Sequence, residues 1–394
     1  MATSIVPGHG VVHCGRVAHQ PKLFQCVGQY PVKLIPTRVH SSANRQARPL
    51  CASEPQWTGQ SCAVYIVTYG GGIVHGDRIQ LDIHVDPGVG LTLLTQGSTK
   101  VFRARKPHDA AIALQPKSAQ PPSATPGTTS LLPTTDTAPA LFSSQYATIT
   151  VAPGGCLVYL PSPVTCFRGS RYVQRQRITL QSPRSSAVFL DWFTGGRSSR
   201  GELWEFDLYN SINTVLLNDR PIFKDAVHLS DRFQAVPDHT ACAPRPTLTT
   251  IDGTIASAMS PDADLDTPAS TSSSSTRPLP NTFAERLHPF QCFAVLVILP
   301  GASACLAQIR QDLLAFQAQD KISGAADPSF RRPPTAGGNA AVVYSVSDFE
   351  QDGVAGVAVR LSAMYTEAIT AWIRQHLAAL EPVIGGNIWT SMMA

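Results

Sequence analysis

The residues that could do chemistry in this sequence are histidine and acidic side chains set in glycine-rich segments. Residues 69–77 read YGGGIVHGD, so His75 and Asp77 are separated by one residue and could lie on the same side of an extended chain. Imidazole and carboxylate groups are ligands for divalent metals, but a metallohydrolase needs three or more ligands. The pair therefore leaves two interpretations open, a partial metal site or a tight turn in which both side chains bond the backbone.

A second polar segment contains a serine and a lysine that could act as a nucleophile and its activating group. It covers residues 95–102 and reads TQGSTKVF, with Ser98 and Lys100 two positions apart. No general base lies at a diagnostic spacing from either residue. A hydrogen-bonded loop is therefore the favoured interpretation.

A third segment combines aromatic, acidic and basic residues. It reads LDWFTGGR and, two residues later, RGELW. Arg197 and Arg200 stand close in sequence to Asp191 and Glu202, which predicts a buried ion-pair network. Such a network is costly to desolvate, so it implies a structural brace or a ligand site.

Other residues of these three segments are expected to have structural roles. The two tryptophans are typical of core or interface anchors. The consecutive glycines allow positive φ and close backbone approach, and no Gly-Lys-Ser/Thr sequence follows them, which excludes a P-loop. The residues with expected structural roles are Gly70, Gly71, Gly72, Gly97, Lys100, Trp192, Arg197, Arg200 and Trp204.

The elements that would position these segments are mainly β-strands. Residues 79–85 alternate aliphatic and polar side chains, which predicts a strand with one apolar face. Similar runs occur at residues 91–95, 147–151 and 157–160, and the aromatic and aliphatic residues of 204–208 alternate in the same way. Pro-Gly turns between such runs, with no helix between them, favour an antiparallel or stacked β-architecture.

The last hundred residues mix strands and helices. Residues 292–299 form a continuous apolar run, typical of a buried strand, and residues 342–346 and 354–361 also indicate strands. Apolar residues at steps of three and four predict one helix over 306–316 and another over 369–380, ended by Pro382 and Gly385-Gly386. The expected fold is mainly β, with stacked or helical sheets and about two α-helices near the C-terminus.

Length and composition predict one domain with two insertions. The chain has 394 residues, of which 43% are hydrophobic, enough for a large core. Residues 116–145 and 237–285 are rich in Pro, Ser and Thr and cannot bury enough apolar surface to offset the entropy of ordering. We predict a single domain over 1–394 interrupted by these two disordered insertions.

Charge and cysteine usage exclude several classes of protein. A net charge of +4 without a clustered basic patch does not indicate a nucleic-acid partner. No apolar stretch is long enough for a membrane span, and the N-terminus lacks a secretory pattern, so a cytoplasmic protein without membrane contact is expected. The nine cysteines include no CxxC pair and are expected to be free thiols rather than disulfides or a closed zinc site.

Five segments taken together resemble the UreD (UreH) family of urease accessory proteins. They are YGGGIVHGD, TQGSTKVF, LPSPV, LDWFTGGR and RGELW, in this order along the chain. Two positions depart from the family pattern, since Ser162 stands where Asp is usual and Gly195 where Ser is usual. The resemblance covers nearly the whole chain outside the two insertions, and such insertions resemble those of eukaryotic, fungal-like members.

The resemblance implies a non-enzymatic scaffold for urease maturation. Members of the family fold as stacked β-sheets with two helices and bind UreF and, through it, the GTPase UreG. The assembly docks on apo-urease, and the UreD protein is thought to offer nickel an internal passage. The resemblance thus implies no permanently bound cofactor, with nickel only in transit.

The residue-level hypothesis is that His75, Asp77, Asp191 and Glu202 line or gate this passage. A conduit must bind an ion weakly at several points, which suits scattered carboxylates and imidazoles. Two alternatives remain, a metal-dependent hydrolase using His75 and Asp77, and an assembly adaptor that never contacts nickel. The C-terminal helix with Trp372 is a candidate UreF surface, although packing on its own sheet is favoured.

Overall fold

The computed structural model describes residues 6–18, 20–39, 61–104, 142–230, 283–322 and 342–392. The strands are β1 (His9–Val17), β2 (Gln20–Gly28), β3 (Val32–Thr37), β4 (Ser61–Thr68), β5 (Arg78–Val85), β6 (Gly90–Thr95), β7 (Thr99–Val101), β8 (Ser143–Val151), β9 (Cys156–Tyr159), β10 (Val164–Cys166), β11 (Arg171–Leu180), β12 (Ser186–Thr194), β13 (Leu208–Leu217), β14 (Arg220–Leu229), β15 (Cys292–Leu299), β16 (Val343–Gln351) and β17 (Val354–Ala363). The helices are α1 (Phe283–Leu287), α2 (Ala304–Ile322), α3 (Thr366–His376), α4 (Glu381–Ile384) and α5 (Gly386–Met392).

Within these ranges the strands form two mixed sheets. The first, sheet A, has seven strands in the order β14-β13-β11-β8-β5-β1-β2. The second, sheet B, has ten strands, eight of them in the order β16-β17-β15-β12-β9-β6-β4-β3, while β7 and β10 pair beside β12. The fold is therefore mainly β, as the alternation of side chains predicts.

The middle of the chain winds between the two sheets in successive coils. Strands β4, β6, β9 and β12 pair in parallel in sheet B, and the intervening strands β5, β8, β11 and β13 pair in parallel in sheet A. The Pro-Gly turns at Gly88 and Gly154 have positive φ of 70° and connect strands of different sheets. Because the chain changes sheet at these turns, each strand lies beside the strand that the preceding coil placed in the same sheet. The two strands therefore pair in parallel without a helical crossover. Of the two expected arrangements, stacked sheets are observed, with antiparallel pairs confined to the flanks.

Two apolar cores result from this arrangement. One lies between the sheets and includes Ile83, Ile149 and Phe189, all almost inaccessible to solvent. The other lies between the outer face of sheet B and the C-terminal helices, and includes Leu296, Leu313 and Ile373. Strand β12 contributes to both cores, since Phe189 faces one and Leu190 the other, which explains its continuous apolar sequence.

Most local predictions agree with the structure, and two are wrong. The strands predicted at 79–85, 91–95, 147–151, 292–299 and 354–361 correspond to β5, β6, β8, β15 and β17. The alternating run at 204–208 is not a strand, because Trp204 has φ 60° and β13 begins only at Leu208. Pro382 does not end the helical region either, since it lies in the first turn of α4, where a missing N–H costs nothing.

The two predicted insertions lie largely outside the described residues. Their C-terminal limits are corrected, since residues 143–145 begin β8 and residues 283–285 begin α1. Every cysteine in the described ranges is a free thiol, as expected from the absence of CxxC pairs. Each helix in those ranges is too short or too polar to cross a lipid bilayer.

Candidate functional site

The family-matching segments meet in one cleft of about 820 Å³. Each segment follows or contains the C-terminal end of a parallel strand of sheet B, namely β4, β6, β9 or β12. Parallel strands end at the same edge of a sheet, so segments far apart in sequence are brought together there. The lining residues that come from these segments are Gly70, Gly71, Gly97, Ser98, Lys100, Phe102, Ser162, Pro163, Trp192, Thr194, Gly195, Gly196, Arg197, Arg200 and Leu203.

The cleft is supported by a short parallel ladder. Strand β10 pairs with β7 on one side and with β12 on the other, and Ile73 bridges to Val101 of β7. The Ile73 backbone N–H donates to the carbonyl of Lys100 over 2.8 Å, and the Phe102 N–H donates to the carbonyl of Ile73 over 2.9 Å. The polar segment around Lys100 is thus hydrogen-bonded, but it forms a short strand, β7, after a turn, rather than the loop that was the favoured interpretation.

Two glycines of the cleft are required by close contacts. A Cβ atom on Gly72 would lie 2.5 Å from the carbonyl oxygen of Lys100. A Cβ atom on Gly195 would lie 2.8 Å from the indole of Trp204. These contacts leave no space for a side chain at either position, which is consistent with the structural role expected for Gly72.

An ion pair closes the loop that follows β12. The Arg197 guanidinium binds the Glu202 carboxylate through two hydrogen bonds of 2.6 and 2.7 Å and lies 4.0 Å above the ring of Phe167. Hydrogen bonds from Arg197 hold the pKa of Glu202 below its usual value. Part of the predicted ion-pair network is therefore present, and it braces a wall of the cleft.

The two tryptophans anchor the cleft from behind, as expected. Trp192 is buried on the helix side of sheet B, and its indole N–H donates to the carbonyl of Pro161 over 2.7 Å. Trp204 is buried between the sheets, next to Phe193 and Phe293. Together they join the loops of the cleft to both cores.

Asp191 does not join the arginines, in contrast to the predicted network. Its carboxylate lies between the sheets and accepts hydrogen bonds from neutral groups, over 2.9 Å from Gln174, 2.6 Å from Ser211 and 2.7 Å from Asn213. Burial raises the pKa of Asp191, although these three hydrogen bonds oppose the increase. Asp191 is thus the centre of a buried polar network in the intersheet space.

This network extends toward the edge of the molecule. Asn213 on β13 is the register partner of Asp225 on the edge strand β14. The Asp225 carboxylate, only 11% exposed, accepts a hydrogen bond of 2.8 Å from Arg360 of β17, which is 53% exposed. We call the set Gln174, Gln176, Asp191, Ser211, Asn213, Asp225 and Arg360 the intersheet polar layer.

His75 and Asp77 lie in the turn before β5, away from this layer. The Asp77 carboxylate accepts a hydrogen bond of 2.9 Å from the backbone N–H of Val74, and partial burial raises the pKa of Asp77. For Asp77 this agrees with the turn interpretation rather than with a metal site. Neither residue lines the cleft, although Gly70 and Gly71 of the same segment do.

The structure therefore does not gather the four candidate nickel residues into one group. In the described ranges no three His, Cys, Asp or Glu side chains lie close enough together to hold a metal ion. The layer residues other than Asp191 were not predicted from sequence. A signal does exist, because Gln174 and Asn213 occupy inward positions of their strands, each with a buried residue, Tyr172 or Val215, two positions away on one side.

The C-terminal helices form the cover of sheet B. Trp372 and Ile373 of α3 are buried in the second core, as the favoured interpretation of this helix predicted. The beginning of α3 also reaches the cleft, since Thr366, Glu367 and Thr370 line it. The face that contains Trp372 is thus occupied by the sheet of its own chain.

The fold and the site define a class of protein, a two-sheet β-coil with a helical cover on one sheet and a glycine-lined cleft at the strand ends. A family model described as "UreD urease accessory protein" matches residues 33–251, more than half of the chain. The chain therefore belongs to the UreD family, as the resemblance of its five segments indicates.

Several relatives match over nearly their full length. Urease accessory protein D of Oryza sativa subsp. indica is 27% identical over 380 residues, which cover 95% of this chain and 93% of that protein. Urease accessory protein D of Arabidopsis thaliana is 28% identical, covering 95% and 97%. Urease accessory protein 4 of Cryptococcus neoformans is 26% identical, covering 98% and 94%. The similarity thus includes plant and fungal proteins.

Proposed function

We propose that this chain is a urease maturation factor that takes part in nickel insertion into apo-urease. The observation that carries the proposal is the family match over residues 33–251, together with full-length relatives named urease accessory proteins. We further propose that it acts as a non-enzymatic scaffold in the cytoplasm, in a complex with UreF and the GTPase UreG. Nickel is then cargo, and no permanently bound cofactor is proposed.

The intersheet polar layer is the proposed route for nickel through the chain. It carries a buried carboxylate at Asp191 and a second, nearly buried one at Asp225. The oxygen atoms Gln176 Oε1 and Asn213 Oδ1 are buried without a hydrogen-bond partner among the described residues. Buried polar atoms of this kind need water or an ion as a partner, so the layer is suited to a hydrated cation.

The metal-ligating groups of the intersheet polar layer favour weak and reversible binding of nickel. They are carboxylate, amide and hydroxyl oxygens, whereas a tight site for nickel would add imidazole or thiolate groups. Because burial raises the pKa of Asp191, a proton competes with a cation there more strongly than at an exposed carboxylate, which weakens cation binding and couples it to proton release. The exposed Arg360, paired with Asp225, is then a natural gate at the edge of the layer.

The remaining candidate residues are proposed to act outside the layer. Glu202 holds Arg197 against the cleft, so its effect on nickel transfer would be through the shape of the cleft. His75 and Asp77 lie in the turn that leads from the cleft to β5. We propose the cleft itself as the contact with a protein partner, since the family-matching segments converge there and Lys100 and Arg200 give it exposed positive charge.

The proposed function is tested by complementation of a host strain in which the gene is deleted and urease is otherwise intact. We expect the wild-type chain to restore urease activity and to co-purify with UreF, UreG and urease. Urease activity that persists in the deletion strain without added nickel would reject the maturation role.

The proposed route is tested with a pair of variants on one strand. Asn213→Leu places an apolar side chain in the layer, whereas Thr214→Val changes the opposite face of β13. We expect Asn213→Leu to lower urease activation severalfold while UreF and UreG still co-purify, and Thr214→Val to activate normally. Normal activation by both Asn213→Leu and Asp191→Asn would reject the route and favour an adaptor without nickel contact.

A further inference from the structure

Two histidine–aspartate pairs occupy the outer face of sheet A, on the parallel strands β1 and β5. His9 Nε2 lies 2.7 Å from an Asp82 carboxylate oxygen, and His13 Nε2 lies 3.0 Å from an Asp86 carboxylate oxygen. His9 and His13 are four residues apart on one strand, which corresponds to about 13 Å. All four side chains are between 21% and 37% exposed, so solvent reaches both pairs.

A third histidine stands beside the second pair. His84 is the register partner of His13 and lies two residues before Asp86 on the same strand face. The rings of His13 and His84 are 6.1 Å apart between centroids, at 74° to each other. Two imidazoles and one carboxylate are thus collected on adjacent strands, and His84 is exposed.

The surroundings of the second pair leave room for its side chains. A Cβ atom on Gly15 would lie 2.5 Å from Asp86 Oδ2, so glycine at this position lets the carboxylate lie across β1. The Phe24 ring contacts His13 edge-on, with centroids 5.2 Å apart. The carboxylate of Asp86 and the ring of His13 therefore lie next to each other on the sheet surface, and the exposed His84 lies beside them.

We propose that His13, His84 and Asp86 form a surface site for a first-row divalent transition-metal ion such as Ni²⁺ or Zn²⁺. Imidazole nitrogen is a preferred donor for these ions, and a carboxylate adds compensating charge. Metal–nitrogen bonds of about 2.0–2.1 Å allow two imidazoles on one ion to have centroids roughly 6 Å apart.

Binding requires a local rearrangement. The three side chains do not converge on one point as they stand, since the described ranges hold no ready group of three such donors. The ion would replace the hydrogen bond between His13 and Asp86 and draw in His84 by rotation about its side-chain bonds. Exposed side chains rotate at little cost, so we expect moderate affinity and fast exchange.

The test is titration of the full-length chain, without a polyhistidine tag, with NiCl₂ by isothermal calorimetry. The double variant His13→Asn/His84→Asn is expected to lose one equivalent of Ni²⁺ or at least tenfold in affinity. The control is His228→Asn, which replaces an exposed histidine of β14 that is hydrogen-bonded to Asn210, and it is expected to bind Ni²⁺ as the wild type does. The single variant His84→Asn changes an exposed residue, so it should leave the fold intact. It is expected to weaken Ni²⁺ binding as the double variant does, but to a smaller extent.

Equal Ni²⁺ binding by the wild type, the double variant and the control would overturn the proposal, and the pairs would then serve only to join β1 to β5. Substitution of Co²⁺ adds a direct readout, since histidine ligation changes its visible absorption spectrum and the change should disappear in the double variant. The inference does not rest on the proposed function. If the wild-type chain does not bind Ni²⁺ at this surface site, the maturation role is still decided by complementation. If it does bind Ni²⁺ there, the result does not argue against the interior route.

Discussion

At the scale of single residues, Asp191 is unusual because its carboxylate is buried and lacks a cationic partner among its hydrogen-bond donors. It is buried between two sheets, and the groups that donate to it, from Gln174, Ser211 and Asn213, are all neutral. A buried carboxylate without a cationic partner is normally avoided, because desolvation disfavours the charged form. Its retention in the centre of a polar layer agrees with a functional rather than a stabilising role.

The raised pKa of Asp191 predicts the pH dependence of stability. A carboxyl group whose pKa is higher in the folded than in the unfolded chain stabilises the fold below the unfolded value, near 3.8, and this contribution is lost as the pH rises through the folded value. Asp191→Asn lacks this titration. Its free energy of unfolding relative to the wild type should therefore increase with pH, by about 1.4 kcal/mol for each unit of pKa elevation.

This dependence can be measured by urea denaturation of both proteins between pH 4.5 and 8. The matched control for the carboxylate-to-amide change is Asp219→Asn at an exposed turn. A difference between Asp191→Asn and the wild type that stays constant with pH would contradict the elevated pKa.

The lowered pKa of Glu202 predicts the opposite pH dependence of stability. Its pKa is lowered by Arg197, so the stabilisation is present above the unfolded value of about 4.5 and is lost as the pH falls through the lower folded value. Arg197→Gln should lower the thermal unfolding midpoint by a few degrees at pH 7 and by progressively less below pH 4.5. Arg200→Gln, at an exposed position of the same loop, is the control and should have little effect at either pH.

At the scale of elements, the cleft depends on short strands that pair in parallel at the edge of sheet B. The bridge between Ile73 and Val101 joins the glycine-rich turn to β7, and β10 joins β7 to β12. Each of these pairings is only one to three residues long, so close backbone approach matters more here than in the long central strands. Glycine at position 72 provides that approach.

Gly72→Ala should therefore separate the turn from β7. The added Cβ would meet the carbonyl oxygen of Lys100 at 2.5 Å, and backbone atoms cannot rotate away as a side chain can. We expect a loss of about 1–3 kcal/mol in the free energy of unfolding, the range for overpacked sites, together with reduced urease activation.

The matched control is Gly386→Ala, where the nearest neighbour of an added Cβ is the Glu381 carboxylate at 3.6 Å, an ordinary contact. Chemical denaturation of both variants measures the effect. Equal stability of the two variants would show that the turn accommodates a methyl group and would remove Gly72 from the support of the cleft.

At the scale of the whole molecule, the coil of strands joins the two sheets into one unit. Strands β5, β8 and β11 in sheet A, and β9 and β12 in sheet B, have hydrogen-bonded neighbours on both sides. Strands β2, β14, β16 and β3 lie at the sheet edges and are paired on one side only in the described ranges. Stability against local opening should therefore decrease from the centre of each sheet to its edges.

Hydrogen exchange followed by mass spectrometry should detect this gradient. We expect amides of β8, β11 and β12 to exchange at least tenfold more slowly than amides of β2 and β14, because central strands open only with larger parts of the sheet. Equal exchange in central and edge strands would contradict the coil arrangement. A slower rate in β14 alone, in the presence of a partner, would indicate that the edge near Asp225 is covered in the complex.

Much of the local structure could be predicted from the sequence, and the failures have a common cause. The alternation in β5 and the apolar run of β15 each report burial directly, so both strands were predicted correctly. The run at 204–208 has the same alternation but belongs to a loop, because Trp204 and Phe206 are buried by aromatic packing rather than by a sheet face. A period of two shows which side chains are buried, and it does not show by which element.

The family can be recognised from the amino-acid sequence alone, because five ordered segments carry the resemblance without any coordinates. That these segments share one cleft follows only from the fold, since it depends on the parallel pairing of strands separated by many residues. The fold also places Asp191 opposite Ser211 and Asn213 of the other sheet rather than beside the arginines next to it in sequence. Which sheet a strand joins, and which partner a buried side chain meets, follow from contacts across the fold, and local spacing does not contain them.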